Sequence, residues 1–291
     1  LLGIASEDLD LVVEGDAPAL ARELSEELGA DLLVHPQFGT ATVTLGGSRL
    51  DLVTARKEVY LRPADLPRVS PGTIDDDLAR RDFSINTLAL SLTEPHPAIR
   101  DPHGGIDDIS RGLVRVLHRR SFADDPTRIL RAVRYEQRLG FRIEDETLSL
   151  VQEAMDQGYL APVSGDRLRH ELDRIIQEER PAPALRRAIE LGILAGIHPA
   201  LANPEAIDRL EAYGLRGKVS DDAGVDAIQA DDGHGIQSPP MRFLAALVYA
   251  LSTGDGEGII GRLNLPGAWA EVVRDTIALR ELEPELAAPE L

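Results

Sequence analysis

The chain has 291 residues, and its 50 acidic against 31 basic side chains give a formal net charge of −19. This length allows two or three domains, and the 43% hydrophobic content is ordinary for a globular protein. The negative charge argues against indiscriminate binding to nucleic acid, and no apolar run approaches the length of a membrane span. The absence of cysteine excludes disulfides and thiolate metal sites. We therefore expect a cytoplasmic protein with no membrane partner.

The first predicted element is a strand over residues 8–13. The two-residue period of a strand puts Asp8, Asp10 and Val12 on one face and apolar side chains on the other. Two carboxylates so close repel each other unless a cation lies between them, so the economical use of the pair is to bind Mg²⁺. Taken alone, the Asp-x-Asp motif favours its common alternative, an edge strand with a solvated acidic face.

The next elements extend this strand into a small sheet. Asp16 is predicted to cap a helix over residues 17–28, which ends at Gly29. Three further strands are predicted over residues 31–35, 40–45 and 49–54, the last two forming a hairpin that turns at Gly46-Gly47. On the returning strand Asp51 faces away from Leu50 and Leu52, so it is available as a third carboxylate.

A helix over residues 78–90 would place Asp82 and Asn86 on one face, because they are four residues apart. One face of such a helix would line a site and the other would pack in the core. An ordinary amphipathic helix explains the pattern equally well. A loop is predicted over residues 100–109, with a domain boundary near Gly112.

Beyond this boundary the hydrophobic periodicity is helical. Asp125 is predicted at the N-cap of a helix that has Pro126 at its first position, runs from Thr127 to Leu139 and ends at Gly140. Its arginines recur at spacings of three and four: Arg128, Arg131, Arg134 and Arg138. Further helices are predicted over residues 164–179, within 181–215, and over 242–251, 256–263 and 268–282, with a polar loop over 217–240.

These segments together resemble the class II tRNA nucleotidyltransferase and bacterial poly(A) polymerase family, over roughly residues 1–200. The resemblance rests on matches in the right order: Asp8-Leu-Asp10 with Val-Val-Glu-Gly-Asp, Asp51 in Leu-Asp-Leu-Val-Thr-Ala-Arg56, Arg80-Arg-Asp-Phe-Ser-Ile-Asn86, Asp125-Pro-Thr-Arg128-Ile-Leu-Arg-Ala-Val-Arg134, and Arg167-Leu-Arg-His-Glu171-Leu-Asp-Arg174. It implies an α+β fold, with a mixed nucleotidyltransferase head that has a small, mainly antiparallel sheet, followed by all-helical domains. We expect the head over residues 1–112, a nucleotide-selecting and RNA-binding neck over 113–200, and a helical body over 201–291.

The resemblance also implies roles for individual residues. Asp8 and Asp10 would be the ligands of Mg²⁺, and Asp51 would be the third catalytic carboxylate. Two Mg²⁺ would bring the RNA 3′ hydroxyl to a nucleotide α-phosphate. Family roles put Arg81 near the residues that read the base, Asp82 near the ribose and Asn86 near the triphosphate.

The selection of the nucleotide can also be argued from chemistry. Asp125 and Arg128 are three apart at a helix start, where a carboxylate acceptor and a guanidinium donor can meet. Cytosine and adenine present an amino donor beside a ring-nitrogen acceptor, whereas uracil and guanine present the opposite order. Asp125 and Arg128 would therefore select C and A, although capping the helix is an alternative role for Asp125.

The remaining arginines allow two roles, contact with RNA phosphates or support of this template helix. We favour support for Arg131 and Arg134, through partners such as Glu171. Arg119, Arg120 and Arg138 are candidates for contact with RNA, and the pattern favours neither role for them.

The expected function is template-independent transfer of A, or of C and A, from ATP and CTP to the 3′ end of tRNA, with release of pyrophosphate. The alternatives are a poly(A) polymerase of the same family and a non-catalytic RNA-binding remnant. Against a remnant, the three carboxylates Asp8, Asp10 and Asp51 are intact. Family members carry a Gly-Gly-x-Val-Arg-Asp segment before this motif, of which Leu1-Leu2-Gly3 is all that is recognisable, so we expect a truncation at the N-terminus.

Overall fold

The computed structural model describes residues 9–93, 98–212 and 239–286, and the chain divides into two compact units. The first unit comprises Leu1–Leu61 and Leu66–Asp107, and the second comprises Arg62–Asp65 and Asp108–Leu291. The four residues Arg62–Asp65 therefore pack with the second unit, although both of their neighbours in sequence belong to the first.

The first unit is a mixture of short strands and helices, which confirms the predicted α+β head. Its elements are β1 (Leu9–Val13), α1 (Ala17–Leu28), β2 (Asp31–His35), β3 (Thr40–Leu45), β4 (Ser48–Thr54), β5 (Arg56–Val59), β6 (Arg68–Pro71), α2 (Ile74–Ala79), β7 (Ala89–Leu90) and β8 (Ile99–Arg100). A further helix, α3 (Gly105–Arg111), crosses the boundary between the units.

The main sheet has the strand order β1-β4-β3-β2, in which β1 is parallel to β4 and the other neighbours are antiparallel. One face packs on α1, and the buried centre of this core consists of Ala17, Ala21, Ala41, Val43 and Leu52. The described part of the predicted first strand and the other predicted strands are confirmed. Because side chains alternate, the opposite face presents Asp10, Thr42 and Asp51.

Helix α1 has the ends that the sequence predicts. The Asp16 carboxylate accepts a hydrogen bond from the Ala19 N–H at 3.0 Å, and this satisfies one of the free donors of the first turn. Gly29 ends the helix in the left-handed conformation, with φ of 63°.

The predicted helix over residues 78–90 is wrong. Helix α2 already ends at Ala79, Phe83 is extended with φ of −130° and ψ of 150°, and a single 3₁₀ turn follows at Ser84–Asn86. The Asp82 carboxylate accepts the Phe83 N–H at 2.9 Å, a local bond that competes with a continued helix. Asp82 and Asn86 are nevertheless brought together by this turn.

The second unit is mainly helical. Its elements are β9 (Leu113–Val114), α4 (Ser121–Asp124), α5 (Arg128–Leu139), β10 (Arg142–Ile143), α6 (Asp145–Asp156), α7 (Gly165–Ile176), α8 (Pro181–Glu190), α9 (Ile193–Ile197), α10 (Pro204–Ala212), α11 (Pro239–Val248), α12 (Thr253–Leu263) and α13 (Gly267–Leu286). The predicted helices are present with shifted ends. The predicted loop over 217–240 lies outside the described residues, except for its last two positions, which begin α11. Across the three described ranges, no helix is long and apolar enough to cross a membrane.

A carboxyl group lies in the helical core of this unit. Asp173 on α7 is only 4% exposed and lines an apolar cavity together with Phe243, Leu263 and Trp269. Burial disfavours the charged form and raises the pKa of Asp173 to about 7, although the nearby Arg169 charge acts in the opposite direction. Asp173 is therefore mostly protonated below neutral pH.

Leu52 should contribute strongly to the stability of the first unit, because it is fully buried between the sheet and α1. We expect Leu52→Ala to lower the free energy of unfolding by about 2–5 kcal/mol through lost burial and a residual cavity. Denaturant titration followed by circular dichroism measures this loss. Leu33→Ala is the matched control, since Leu33 belongs to the same sheet but is 56% exposed; an equal loss in both variants would contradict the packing.

Asp173 should make stability depend on pH. An aspartate in the unfolded chain has a pKa of about 4, so between pH 4 and about 7 the folded protein binds the additional proton. Its contribution is complete below pH 4 and is lost as the pH rises through 7. We expect Asp173→Asn to flatten the decline of the unfolding midpoint between about pH 4 and 7, whereas Asp156→Asn, at an exposed position of α6, leaves this decline unchanged. An unaltered pH dependence in Asp173→Asn would contradict this assignment.

Candidate active site

Two of the three predicted catalytic carboxylates are neighbours on the open face of the sheet. Asp10 on β1 and Asp51 on β4 are paired in the parallel ladder, so their backbones are about 4.8 Å apart. Thr42 on β3 donates its hydroxyl hydrogen to Asp51 at 2.6 Å. The Arg49 guanidinium lies 3.1 Å from the second oxygen of Asp51 and offsets part of the negative charge. Asp10 itself is exposed.

Asp10 and Asp51 have the chemistry of ligands for a hard divalent cation, since both are carboxylates on one surface. Asp8, the third predicted member, lies outside the described residues. No group of three or more possible ligands occurs within residues 9–93, 98–212 and 239–286, which do not include Asp8. The described residues thus supply two of the three carboxylates.

The three residues of the first unit that are predicted to contact the nucleotide lie in one compact turn. Asn86 donates its side-chain N–H to the Asp82 carboxylate at 2.9 Å. Arg81 donates to the Asn86 carbonyl at 3.1 Å and to the fully buried Asp77 carboxylate at 3.2 Å. Asp77 also accepts two bonds from Arg80. These contacts fix the backbone and side chains of the turn before any nucleotide is bound.

Asp125 is held through one carboxylate oxygen. Its Oδ1 accepts hydrogen bonds from the Thr127 N–H at 3.0 Å, the Thr127 hydroxyl at 2.6 Å and the Arg167 guanidinium at 2.7 Å. Within the described residues no donor reaches its Oδ2. The structure assigns the N-cap of α5 to Thr127 rather than to Asp125, because the first helical residue is Arg128. The Asp125 carboxylate still satisfies an N–H at this helix start.

The other predicted template residue, Arg128, is only 5% exposed. It donates to the Ser121 hydroxyl at 2.8 Å, whereas Asp125 accepts hydrogen bonds from Thr127 and Arg167. The two predicted template residues are therefore held through different partners. Thr127 is local to this helix start, whereas Ser121 lies on α4 and Arg167 on α7.

The arginines further along α5 contact acidic residues in the middle of α7 and just beyond its end. Arg131 lies 3.6 Å from Glu171, and Arg134 lies 3.2 Å from Glu178. Arg134 is 6% exposed and its guanidinium also stacks 4.8 Å from the centre of the Tyr135 ring. These contacts support the bracing role predicted for Arg131 and Arg134, with Glu178 rather than Glu171 as the partner of Arg134.

The three arginines that are candidates for contact with RNA are more exposed than Arg131 and Arg134. The side chains of Arg119, Arg120 and Arg138 are 73%, 70% and 54% exposed. Each has an acidic neighbour: Glu146 at 2.7 Å, Asp124 at 3.2 Å and Glu178 at 3.9 Å, respectively. Exposed ion pairs of this kind are weak, so these guanidinium groups can exchange a carboxylate for a phosphate.

Sequence reasoning missed three residues that hold the site together. The role of Asp77 is indicated by local spacing, because Asp77 precedes Arg80 and Arg81 by three and four residues. Arg167 belongs to the last matched motif, but its bond to Asp125 spans 42 residues. Glu178 has no local signal, since it pairs with Arg134 across 44 residues.

Comparison with protein families gives two matches along this chain. Residues 1–115 match the family described as "Poly A polymerase head domain". Residues 140–203 match the family described as "Probable RNA and SrmB- binding site of polymerase A". The first match contains Asp10, Asp51 and the turn at Asp82, and the second contains Arg167.

Individual proteins are similar over the same region. The A-adding tRNA nucleotidyltransferase of Geobacter sulfurreducens is 41% identical over 203 residues, which are 69% of this chain and 23% of that protein. The CC-adding tRNA nucleotidyltransferase of Deinococcus radiodurans is 40% identical over 188 residues, which are 64% of this chain and 49% of that protein. The structure of a CCA-adding enzyme in an apo form has a TM-score of 0.81 at 32% identity, and covers 98% of this chain and 65% of that one. The chain thus spans half or less of these curated relatives, and it belongs to the poly(A) polymerase and tRNA nucleotidyltransferase family.

Proposed function

We propose that the protein transfers A, or C and A, from ATP and CTP to the 3′ end of tRNA and releases pyrophosphate. The observation that carries this proposal is the pairing of Asp10 with Asp51 on an open sheet face, inside a matched nucleotidyltransferase head. The names of the A-adding and CC-adding relatives support tRNA as the acceptor. A tRNA substrate also agrees with the cytoplasmic location expected from composition.

The chemistry at the carboxylates follows from charge. Asp10 and Asp51, with Asp8 two residues earlier, would hold Mg²⁺, which when bound stabilises the attacking and leaving oxygens of an in-line displacement. Asp51 would receive help from Thr42, whose hydroxyl orients the carboxylate toward the open face. Arg49 moderates the negative charge, so that anionic substrate is repelled less.

Nucleotide selection is proposed to rest on Asp125. Because three donors hold Oδ1, the carboxylate plane is set, and Oδ2 remains available to accept a hydrogen bond from a base amino group. Adenine and cytosine carry such an amino group beside a ring-nitrogen acceptor. Arg128 would donate to that ring nitrogen after exchanging its bond to Ser121.

We assign the remaining parts of the chain in line with this function. Residues 1–112 would be the catalytic head, 113–200 the neck that selects the nucleotide and binds RNA, and 201–291 the body. Arg81, Asp82 and Asn86 would contact the nucleotide from their compact turn. The exposed Arg119, Arg120 and Arg138 would contact RNA phosphates, which is supported by their weak ion pairs.

The carboxylate pair should be essential for transfer. We expect Asp10→Asn and Asp51→Asn in the full-length protein each to lower the transfer rate by at least about a hundredfold, because an amide keeps the shape but loses the charge that binds the cation. Incorporation of labelled ATP into tRNA lacking its terminal A, with Mg²⁺ present, measures the rate. Asp31→Asn, on the same sheet, is the control and should keep its activity. Normal transfer by Asp51→Asn would remove the basis of the proposal.

Asp125 should control which nucleotide is added. We expect Asp125→Ala to reduce the preference for ATP and CTP over GTP and UTP by at least about tenfold, since the acceptor for the amino group is lost. Sequencing the products formed with each nucleotide on tRNA and on an unrelated RNA measures both base choice and acceptor choice. The exposed Asp145→Ala is the control. Strict use of A and C by Asp125→Ala would show that other groups read the base.

A further inference from the structure

One residue of the segment Arg62–Asp65 has an unusual backbone conformation. Ala64 has φ of +63°, and among the described residues Asn264 is the one other non-glycine residue with a positive φ. A residue with a Cβ rarely adopts this region. Ala64 is the third residue of a turn in which the Asp65 N–H donates to the Arg62 carbonyl at 3.3 Å, and a positive φ is typical of that position when proline precedes it. Ala64 is also buried, with 8% exposure.

The contacts that hold Ala64 come from the second unit, to which this segment belongs. The Ala64 N–H donates to the Ala123 carbonyl at 3.0 Å. The Ala64 carbonyl accepts from Arg167 Nη1 at 2.8 Å. Both backbone polar groups of Ala64 are therefore used in contacts with the second unit.

Arg167 connects this backbone to the proposed template residue. Its Nη2 donates to Asp125 Oδ1 at 2.7 Å, while its Nη1 donates to Ala64. The guanidinium is planar and rigid, so two acceptors bound by its two ends fix its orientation. The Arg167 side chain is 23% exposed, so these bonds are partly shielded from water.

We propose that Ala64 and Arg167 are positioning residues that set nucleotide selectivity through the Asp125 carboxylate. The Ala64 carbonyl orients Arg167, and Arg167 in turn keeps Oδ1 of Asp125 occupied and Oδ2 directed to the base. If Ala64 leaves this position, Arg167 loses one of its two acceptors and the carboxylate gains rotational freedom. This inference rests on the proposed function and adds to it a determinant that contacts no nucleotide.

The test uses the full-length protein and substitutions at Ala64 that differ in backbone preference. Ala64→Pro fixes φ near −65° and removes the N–H that Ala123 accepts, so it excludes the observed conformation. Ala64→Gly is the matched control, because glycine adopts positive φ freely and keeps both bonds. Arg167→Lys retains the charge but lacks the fork that binds two acceptors. Thermal unfolding of each variant verifies that the fold is retained.

The measured quantity is the ratio of kcat/KM for ATP to that for GTP, on tRNA lacking its terminal A. We expect Ala64→Pro and Arg167→Lys each to reduce this ratio by about tenfold, and Ala64→Gly to preserve it. The double variant Ala64→Pro/Arg167→Lys should show no further reduction, since both substitutions interrupt the same series of hydrogen bonds from Ala64 through Arg167 to Asp125.

The outcomes separate the two proposals. An unchanged ratio in Ala64→Pro, or independent and multiplicative losses in the double variant, would overturn the role of Ala64 while leaving the proposed transfer intact. If the unaltered protein neither transfers nor binds ATP, the proposed function fails and this inference fails with it. Binding of ATP and GTP without tRNA, measured by calorimetry, gives the preference in ground-state binding separately from the chemical step, and this preference should fall in Ala64→Pro as well.

Discussion

The parallel pairing of β1 with β4 is the constraint on which the candidate site depends. Side chains alternate along both strands, so the register that packs Leu11 and Leu52 toward α1 also pairs Asp10 with Asp51 on the other face. A slip by one residue in either strand would turn a carboxylate into the apolar core, at a large cost in free energy. Apolar packing on one side of the sheet therefore sets the spacing of charged groups on the other.

In the second unit, planar guanidinium groups have a comparable organising role. The chain contains only two lysines, at positions 57 and 218, so nearly every cation is an arginine. Arg262 donates to the carbonyls of Leu160 and Val163, and Arg169 donates to those of Leu263 and Asn264. Arg167 follows the same pattern with one carbonyl and one carboxylate. A lysine ammonium is a point charge and would not impose these fixed two-acceptor geometries.

The parts of the fold that depend on local patterns could be predicted from the sequence. Strict alternation identified the hairpin strands and the face of Asp51, and Asp16 with Gly29 marked the ends of α1. The helix over residues 78–90 was wrong because a side chain, that of Asp82, satisfies the backbone locally. The bonds of Arg167 to Asp125 and to Ala64 were out of reach, since both join residues distant in sequence.

Because Arg62–Asp65 belong to the second unit, a single cut in the chain does not separate the two units. An expressed fragment that begins at residue 108 would contain every helix from α4 onward, yet it would lack the carbonyl that Arg167 binds. The Ala123 carbonyl would lose its donor in the same fragment. Such a fragment could fold while its Asp125 carboxylate was oriented differently. Expressing the second unit without residues 62–65 would therefore alter the chemistry of its candidate site.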